Sequence, residues 1–221
     1  MNSLIELRNL YKEYRTSDLP QECLRDLSVI IPDGSFIAIT GRSGTGKTTL
    51  FRILSGLDHD YRGTYLLKGK DVSHLSEEEW LKIRRENTGV IFQDFNLISI
   101  LTVAENALLG VQLKGKACET TKLDEVLASL ELLDKKDKFP GQLSGGEKQR
   151  TAIARVLLQD PDLILADEPT GNLDPQTSET VFALLQDLHA KGKTILLVTH
   201  DLQLAARTER VLVLEDGKVH V

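Results

Sequence analysis

Residues 36–48 read Phe-Ile-Ala-Ile-Thr-Gly-Arg-Ser-Gly-Thr-Gly-Lys-Thr, so an apolar run passes directly into a glycine-rich loop. The run Phe36–Ile39 is too apolar for a surface strand and is typical of a parallel strand buried on both faces. The residues after Thr40 match the P-loop pattern at every fixed position, between a strand and a predicted helix as the pattern requires. They are Gly41, Arg42, Ser43, Gly44, Thr45, Gly46, Lys47 and Thr48.

The spacing of this loop suits the chemistry of phosphate binding. Its glycines let backbone N–H groups curl around phosphate oxygens, and the following helix points its partial positive end at the same place. Lys47 is expected to reach the β- and γ-phosphates, Thr48 offers a hydroxyl to Mg²⁺, and Thr49 lies one residue further along the helix. The loop therefore predicts a nucleoside triphosphate ligand, although ATPases, GTPases and nucleotide kinases all share it.

A second apolar strand, Leu163–Ala166, delivers Asp167 and Glu168 at its carboxyl end. Ligands of open α/β sheets bind at that end of the strands. Asp167 is suited to hold Mg²⁺, and Glu168 is suited to polarise an attacking water as a general base. The alternative is a solvated loop that happens to carry two acids, but the P-loop upstream favours the functional interpretation.

The order of elements predicts an α/β fold. Leu4–Leu7 and Cys23–Ile31 indicate a small antiparallel β region. Strands then alternate with helices toward the end of the chain, which implies a mostly parallel sheet with helices on both faces. The prediction is one P-loop NTPase domain over 1–221, with a catalytic core and N-terminal antiparallel β region at 1–87 and 161–221 and a helical subdomain at 88–160.

Periodicity and helix-start signals give approximate bounds for the other elements. Ser76 before three glutamates is a plausible helix start, because acids favour the positive end of a helix. Predicted helices are Thr48–Leu57, 76–87, a pair within Thr102–Leu133 broken near Gly115, 144–158, Thr177–Ala190 and Leu202–Arg207. Predicted strands are Gly89–Gln93, Thr194–Thr199 and Val211–Leu214.

Composition excludes several classes of function. Acidic residues outnumber basic ones, 33 to 27, and no long Lys/Arg run is present, which argues against nucleic-acid binding. Cys23 and Cys118 form no short-spaced pair, so neither a disulfide framework nor a zinc site is expected. The longest apolar runs are far shorter than the roughly 20 residues of a membrane span. Any role at a membrane is therefore expected to come through a partner.

The stretch Leu143–Arg150 reads Leu-Ser-Gly-Gly-Glu-Lys-Gln-Arg and places a serine and two glycines at a predicted helix start. Such a start is a second anion-binding end. One P-loop already serves the phosphates of this chain. The second anion-binding end makes sense if it serves the nucleotide of another subunit.

Leu143–Gln149 resembles the signature motif of ABC ATPases, and further motifs agree in order over essentially the whole chain. Gln93 resembles the family's Q-loop glutamine, although taken alone it could be a polar residue that ends a strand. Gly171–Asp174 resembles the D-loop, and His200 resembles the switch histidine.

This resemblance implies a homodimer of head-to-tail protomers. Each ATP would lie between the P-loop of one chain and Ser144, Gly145 and Gly146 of the other. Tyr14 lies where the family has the aromatic residue that stacks on adenine, although Tyr11 is close by. The resemblance also implies that Lys47, Glu168 and His200 act in hydrolysis, that Thr48, Gln93 and Asp167 fix Mg²⁺, and that Asp174 carries signals between the protomers.

Ala166–Asp174 and Val90–Leu97 look like the subgroup that serves macrolide exporters, lipoprotein-release systems, haem exporters, peptide-antibiotic detoxifiers and the cell-division pair. This implies an ATP-hydrolysing subunit at the cytoplasmic face of the cell membrane that drives an integral membrane permease of the exporter or extraction type. The alternative is a mechanotransmission ATPase, whose membrane partner regulates cell-envelope enzymes without transport. The apolar loop Asp94–Leu101 either contacts the partner or is buried.

Overall fold

The computed structural model describes residues 3–15 and 20–220. In this part of the chain the strands are β1 (Ser3–Arg15), β2 (Pro20–Pro32), β3 (Phe36–Thr40), β4 (Arg62–Leu67), β5 (Lys70–Asp71), β6 (Thr88–Ile91), β7 (Leu163–Asp167), β8 (Thr194–Val198), β9 (Arg210–Glu215) and β10 (Lys218–His220). They form an antiparallel sheet in the order β2-β1-β4-β5 and a six-stranded sheet in the order β10-β9-β3-β8-β7-β6. The predicted domain 1–221 also includes residues 1–2, 16–19 and 221, which lie outside the described residues.

The larger sheet is parallel from β9 through β6, and β10 joins it in the antiparallel sense. Successive residues of β7 serve two different hydrophobic cores. Leu163 and Leu165 face a core shared with the antiparallel sheet, whereas Ile164 and Ala166 face a core built with helices on the other side. A strand that is buried on both faces must be apolar throughout. The predicted fold class is therefore confirmed.

The helices are α1 (Lys47–Leu54), α2 (Glu77–Asn87), α3 (Val103–Leu113), α4 (Thr120–Ser129), α5 (Gly145–Gln159), α6 (Pro175–Ala190) and α7 (Leu202–Ala205), with 3-10 turns at Leu133–Lys135 and Pro140–Gln142. Three of them begin with a reciprocal capping box, in which a serine or threonine and a glutamate three residues on bond each other's backbone N–H. The pairs are Ser76 with Glu79, Thr102 with Glu105, and Ser144 with Glu147.

The structure differs from the sequence prediction in several bounds. Helix α1 ends at Leu54 rather than Leu57, and α7 ends at Ala205 rather than Arg207. Strand β4 was not predicted, and it pairs with β1. Strand β6 lies in the main sheet beside β7, although the predicted helical subdomain begins at residue 88. The division into core and subdomain stays a prediction.

A tight turn after α1 sets the end of that helix. Gly56 has a φ of +63°, and a Cβ atom there would lie 2.2 Å from the ring of Trp80. Trp80 is buried, and the centroid of its ring lies 5.7 Å from the ring centroid of Tyr65 in the antiparallel sheet. The absence of a side chain at Gly56 therefore lets the Trp80 ring of α2 pack directly against the turn, which no other residue would allow.

We predict that Gly56→Ala destabilises the chain by about 3 kcal/mol, because it adds a ring overlap to the cost of a left-handed alanine. Gly69→Ala is the matched control, since Gly69 has a φ of +76° but nothing within 4 Å of a Cβ atom. We expect about 1 kcal/mol for this control. Urea unfolding measures both, and equal losses would mean that the Trp80 contact contributes nothing.

Candidate nucleotide-binding site

The glycine-rich loop connects β3 to α1 at the carboxyl edge of the main sheet. The Nζ atom of Lys47 donates to the backbone oxygens of Gly41 at 2.7 Å and Arg42 at 2.9 Å. Gly46 has a φ of +102°, and a Cβ atom there would lie 2.6 Å from the backbone oxygen of Cys23. The loop is therefore wedged against β2, with its lysine folded over its own backbone.

A cavity of about 510 Å³ opens above this loop and gathers residues from several elements. Its lining contains most of the predicted site: Gly41, Ser43, Gly44, Gly46, Lys47, Thr48, Thr49, Gln93, Asp167, Glu168 and His200. Two further lining residues, Cys23 and Val198, were not predicted. Cys23 reaches the cavity because β2 passes beside the loop, and no motif at residue 23 signals that contact.

Other predicted residues lie outside this cavity. Arg42 and Thr45 line an adjoining cavity with Leu202 and Val213, and the Thr45 hydroxyl donates to the Arg42 oxygen at 2.9 Å. Thr45 thereby supports the shape of the loop from its outer side. Among the described residues, Tyr14, Ser144, Gly145, Gly146 and Asp174 also fall outside the lining.

The acid pair at the end of β7 experiences two different environments. Burial and the neighbouring Glu168 raise the pKa of Asp167 to about 6, against an opposing effect of Lys47. Glu168 adopts a left-handed φ of +46°, and its backbone N–H donates to the Val198 oxygen at 2.9 Å. This turns the Glu168 side chain into the cavity. Its Oε2 atom contacts Nδ1 of His200 at 2.9 Å without the geometry of a hydrogen bond.

Gln93 follows β6 and meets the loop that follows the acid pair. A Cβ atom on Gly171 would lie 3.1 Å from Nε2 of Gln93, and the Asn172 side chain donates to the Gln93 backbone oxygen at 3.4 Å. Two of the predicted motifs are therefore in direct contact within one chain.

The segment Ser144–Gly146 caps α5 away from the cavity of its own chain. The Ser144 backbone N–H donates to Glu147 Oε2 at 2.7 Å. Asp174 likewise caps α6: its carboxylate accepts from the Thr177 hydroxyl at 2.5 Å and from the backbone N–H groups of Gln176 and Thr177. These bonds from Thr177 lower the pKa of Asp174. Both residues thus have a structural task at a helix start.

Tyr14 lies in a separate cavity of about 540 Å³, lined also by Tyr11, Glu13, Asp60, Tyr61 and Arg62. Its hydroxyl donates to Oδ2 of Asp58 at 3.1 Å. Tyr11 and Tyr14 are both partly exposed here, so the position of the ring alone does not choose between them.

A family model described as ABC transporter matches residues 24–171, from β2 through the loop after β7. The chain belongs to the ABC transporter family. It is an ATPase cassette of that family, which confirms the resemblance found in the sequence. The roles of the individual residues stay predictions.

Curated relatives and solved structures in this family cover nearly the whole chain. The macrolide export ATP-binding/permease proteins MacB of Hyphomonas neptunium and Chlorobaculum tepidum are each 42% identical to it, over 98% of its length. The chain spans only 34% and 33% of those proteins. A dimeric structure of the ATP-binding cassette MJ0796, in a post-hydrolysis state with ADP and Pi, matches with a TM-score of 0.91 at 38% identity, covering 98% of this chain and 97% of that one.

None of the described helices of this ABC cassette is both long and apolar enough to cross a membrane.

We predict that Asp167→Asn stabilises the chain at neutral pH. A carboxyl whose pKa rises on folding, here from 3.8 to about 6, stabilises the folded state below pH 3.8 and loses that contribution as the pH rises through about 6. The full shift is worth about 3 kcal/mol, which solvent screening of this half-buried group reduces to about 1 kcal/mol. The gain should therefore appear between about pH 4 and 6 and stay constant above pH 7.

Urea unfolding of both proteins across this pH range measures the difference. A variant that is less stable than the parent at neutral pH would show that the Asp167 carboxylate is stabilised, not strained, in the folded chain.

Proposed function

We propose that this chain works as a homodimer that holds two ATP molecules between its protomers and uses their hydrolysis to drive a membrane permease in export or extraction. One observation carries the dimer: the phosphate loop, the acid pair, Gln93 and His200 share one cavity, whereas Ser144–Gly146 begins α5 outside it. A helix start with two glycines is suited to bind an anion. The phosphates that it would bind are those held by a second copy of the chain. The dimeric MJ0796 cassette supports this arrangement.

Lys47 and the loop backbone would stabilise charge on the phosphoryl group that is transferred. In this structure Lys47 satisfies two backbone oxygens at 2.7 and 2.9 Å. Phosphate oxygens would replace them, because a bond between two charged groups is stronger than one to a carbonyl. Ser43 and the loop glycines would donate backbone N–H groups to the same phosphates.

Thr48, Gln93 and Asp167 fit a magnesium ion. They line one cavity and offer a hydroxyl, an amide oxygen and a carboxylate oxygen, which are the hard oxygen ligands that Mg²⁺ prefers. The bound ion would neutralise charge on the phosphates. It would also favour the ionised form of Asp167, whose pKa is otherwise raised.

Glu168 would take a proton from the attacking water. Its left-handed backbone and its bond to the Val198 oxygen direct the side chain into the cavity. His200 touches the same carboxylate at 2.9 Å and would hold the γ-phosphate and water in line. Asp174, at the start of α6 beside the loop that contacts Gln93, would pass the state of one site to the other protomer.

A largely apolar groove of about 460 Å³, lined by residues of α2, β6, α3 and α5, would receive the permease. Leu81, Val90, Phe92 and Leu113 form its apolar part, and Arg84, Arg85 and Arg155 lie among them. An apolar segment flanked by acidic residues would match this surface. Residues of the predicted partner loop lie nearby in sequence: Phe95 and Leu97 are half-buried, while Ile98 is exposed and Ile100 is 80% exposed.

Attachment to such a permease would hold the chain at the cytoplasmic face of the cell membrane. The macrolide export proteins MacB, which combine an ATP-binding part and a permease in their names, support export over a role without transport.

We predict that Glu168→Gln keeps ATP affinity within about twofold but lowers turnover by at least 100-fold, because it removes the general base and leaves the phosphate contacts. The variant should also accumulate as an ATP-dependent dimer. Phosphate release and size-exclusion chromatography with light scattering measure both effects. Turnover close to that of the parent would contradict the assignment of Glu168.

Ser144→Asp in the Glu168→Gln background tests the second anion-binding end. Aspartate still caps a helix but places negative charge where the partner's γ-phosphate would bind. We expect ATP binding to the monomer to persist and the dimer to be lost. Ser76→Asp, at the matching capping box of α2, is the control and should dimerise normally. Equal dimerisation of both variants would contradict the composite site.

Leu81→Glu tests the groove. Leu81 is 49% exposed on α2, and a glutamate there gains Arg84 and Arg85 as neighbours on the helix, so α2 stays stable. We expect at least a tenfold loss of permease recovered from native membranes with the ATP-trapped dimer. Ile30→Glu, on a side chain that is 53% exposed on β2, is the control. Equal recovery with both variants would place the permease elsewhere.

A further inference from the structure

Beneath Tyr14 lies a lysine that is almost completely buried. Lys12 is 4% exposed, and its Nζ atom donates to Oδ1 of Asp58 at 2.9 Å and to the backbone oxygen of Asp60. Burial alone would lower the pKa of Lys12, yet the bond and charge of Asp58 raise it. Burial would raise the pKa of Asp58, and its bond to Lys12 lowers it. Both groups are therefore charged, and a buried charge pair is costly enough to need a reason.

The same pair holds the ring of Tyr14 at two points. Nζ of Lys12 lies 4.9 Å from the ring centroid, and Oδ2 of Asp58 accepts from the Tyr14 hydroxyl at 3.1 Å. A cation over an aromatic face is attracted to it. One face of the ring is thus occupied, its hydroxyl is tethered, and 37% of the residue remains exposed.

Asp58 is itself fixed to the helix that begins at the phosphate loop. The backbone N–H groups of Leu57 and Asp58 both donate to the Arg52 oxygen, at 2.7 and 3.1 Å. Helix α1 runs from Lys47 to Leu54, a rise of about 12 Å. The two ends of one rigid element therefore carry the phosphate loop and the anchor of an aromatic ring. A nucleoside triphosphate also presents its phosphates and its base at opposite ends.

We propose that Lys12 and Asp58 are positioning residues that fix the Tyr14 ring relative to the phosphate loop, so that its free face stacks on the purine base of ATP. This inference rests on the proposed nucleotide site and adds how the chain sets the base contact. It also distinguishes the two tyrosines. The cation near Tyr11 is Arg62, whose guanidinium lies 5.9 Å from the Tyr11 centroid.

The test compares ATP with inorganic tripolyphosphate, which offers the same phosphates without a base. Calorimetric titration of the full chain gives both affinities. Lys12→Met should lower the affinity for ATP about fivefold, as expected for the loss of one cation–π contact, and leave tripolyphosphate binding unchanged. A merely structural ion pair would weaken both ligands equally, and that result would overturn the proposal.

Lys12→Met leaves the Asp58 carboxylate buried without its cation, so a second variant guards against loss of folding. Asp58→Asn keeps an acceptor for the Tyr14 hydroxyl, and Lys12 keeps Asp60 as a partner. It should weaken ATP selectively by about twofold, since a neutral acceptor replaces a charged one. Unchanged selectivity in this variant would also count against the proposal.

Arg62→Met is the matched control, because it removes the cation over the other tyrosine. Because Arg62 also lines the cavity that holds Tyr14, we expect a smaller selective loss of ATP affinity than in Lys12→Met, and no change for tripolyphosphate. A selective loss of ATP binding here, and not in Lys12→Met, would overturn the proposal in favour of Tyr11.

Tyr14→Ala separates this inference from the proposed site. If Tyr14→Ala leaves the ratio of the two affinities unchanged, the base contact itself is wrong. If it lowers that ratio while Lys12→Met and Asp58→Asn do not, Tyr14 contacts the base and the positioning role alone fails.

Discussion

The parallel pairing of β3, β8 and β7 brings the phosphate loop, the acid pair and His200 close together. Ile39 of β3 and Asp167 of β7 both pair with Val198 of β8, so three strands reach the same edge of the sheet at the same level. The phosphate loop follows β3, the acid pair lies at the end of β7, and His200 lies two residues after β8. Because the strands are buried on both faces, their positions are fixed by packing. The loops that follow these strands therefore start from fixed positions, even where the loops themselves are mobile.

A second constraint would act between the two copies of the chain in the proposed dimer. The start of α5, which we propose binds an anion, lies outside the cavity of its own protomer, and its glycines pack close to α6 and the loop before it. Asp174, which caps α6, belongs to the same region. Elements that would read the nucleotide of the partner are therefore in contact with elements that follow the chain's own acid pair. In the proposed dimer such a cassette would be incomplete as a monomer, and the parts that serve the two nucleotides would be linked within each protomer.

Motifs predicted the local structure well where it depends on backbone geometry in a short stretch: the glycine-rich loop connects β3 to α1, and Ser144 caps α5. Prediction was poorer where contacts come from distant strands. Cys23 lines the cavity only because β2 crosses beside Gly46, and Lys12 looks like a solvated charge on a strand until Asp58 is seen beside it. Strand β4 was missed because its first three residues, Arg62, Gly63 and Thr64, are not apolar and give no alternating pattern. Pairing across the fold supplies information that a local pattern lacks.

Because the side chains of β7 alternate between two cores, this strand does not tolerate an insertion or deletion of a single residue. An inserted or deleted residue within Leu163–Ala166 would exchange the two faces, so that Ile164 and Leu165 would each face the wrong core. The same shift would move Asp167 off its level beside Val198. The register of β7 therefore sets both the packing of the two cores and the position of Asp167. Indels are tolerable in the surface turns between helices and are excluded from this strand.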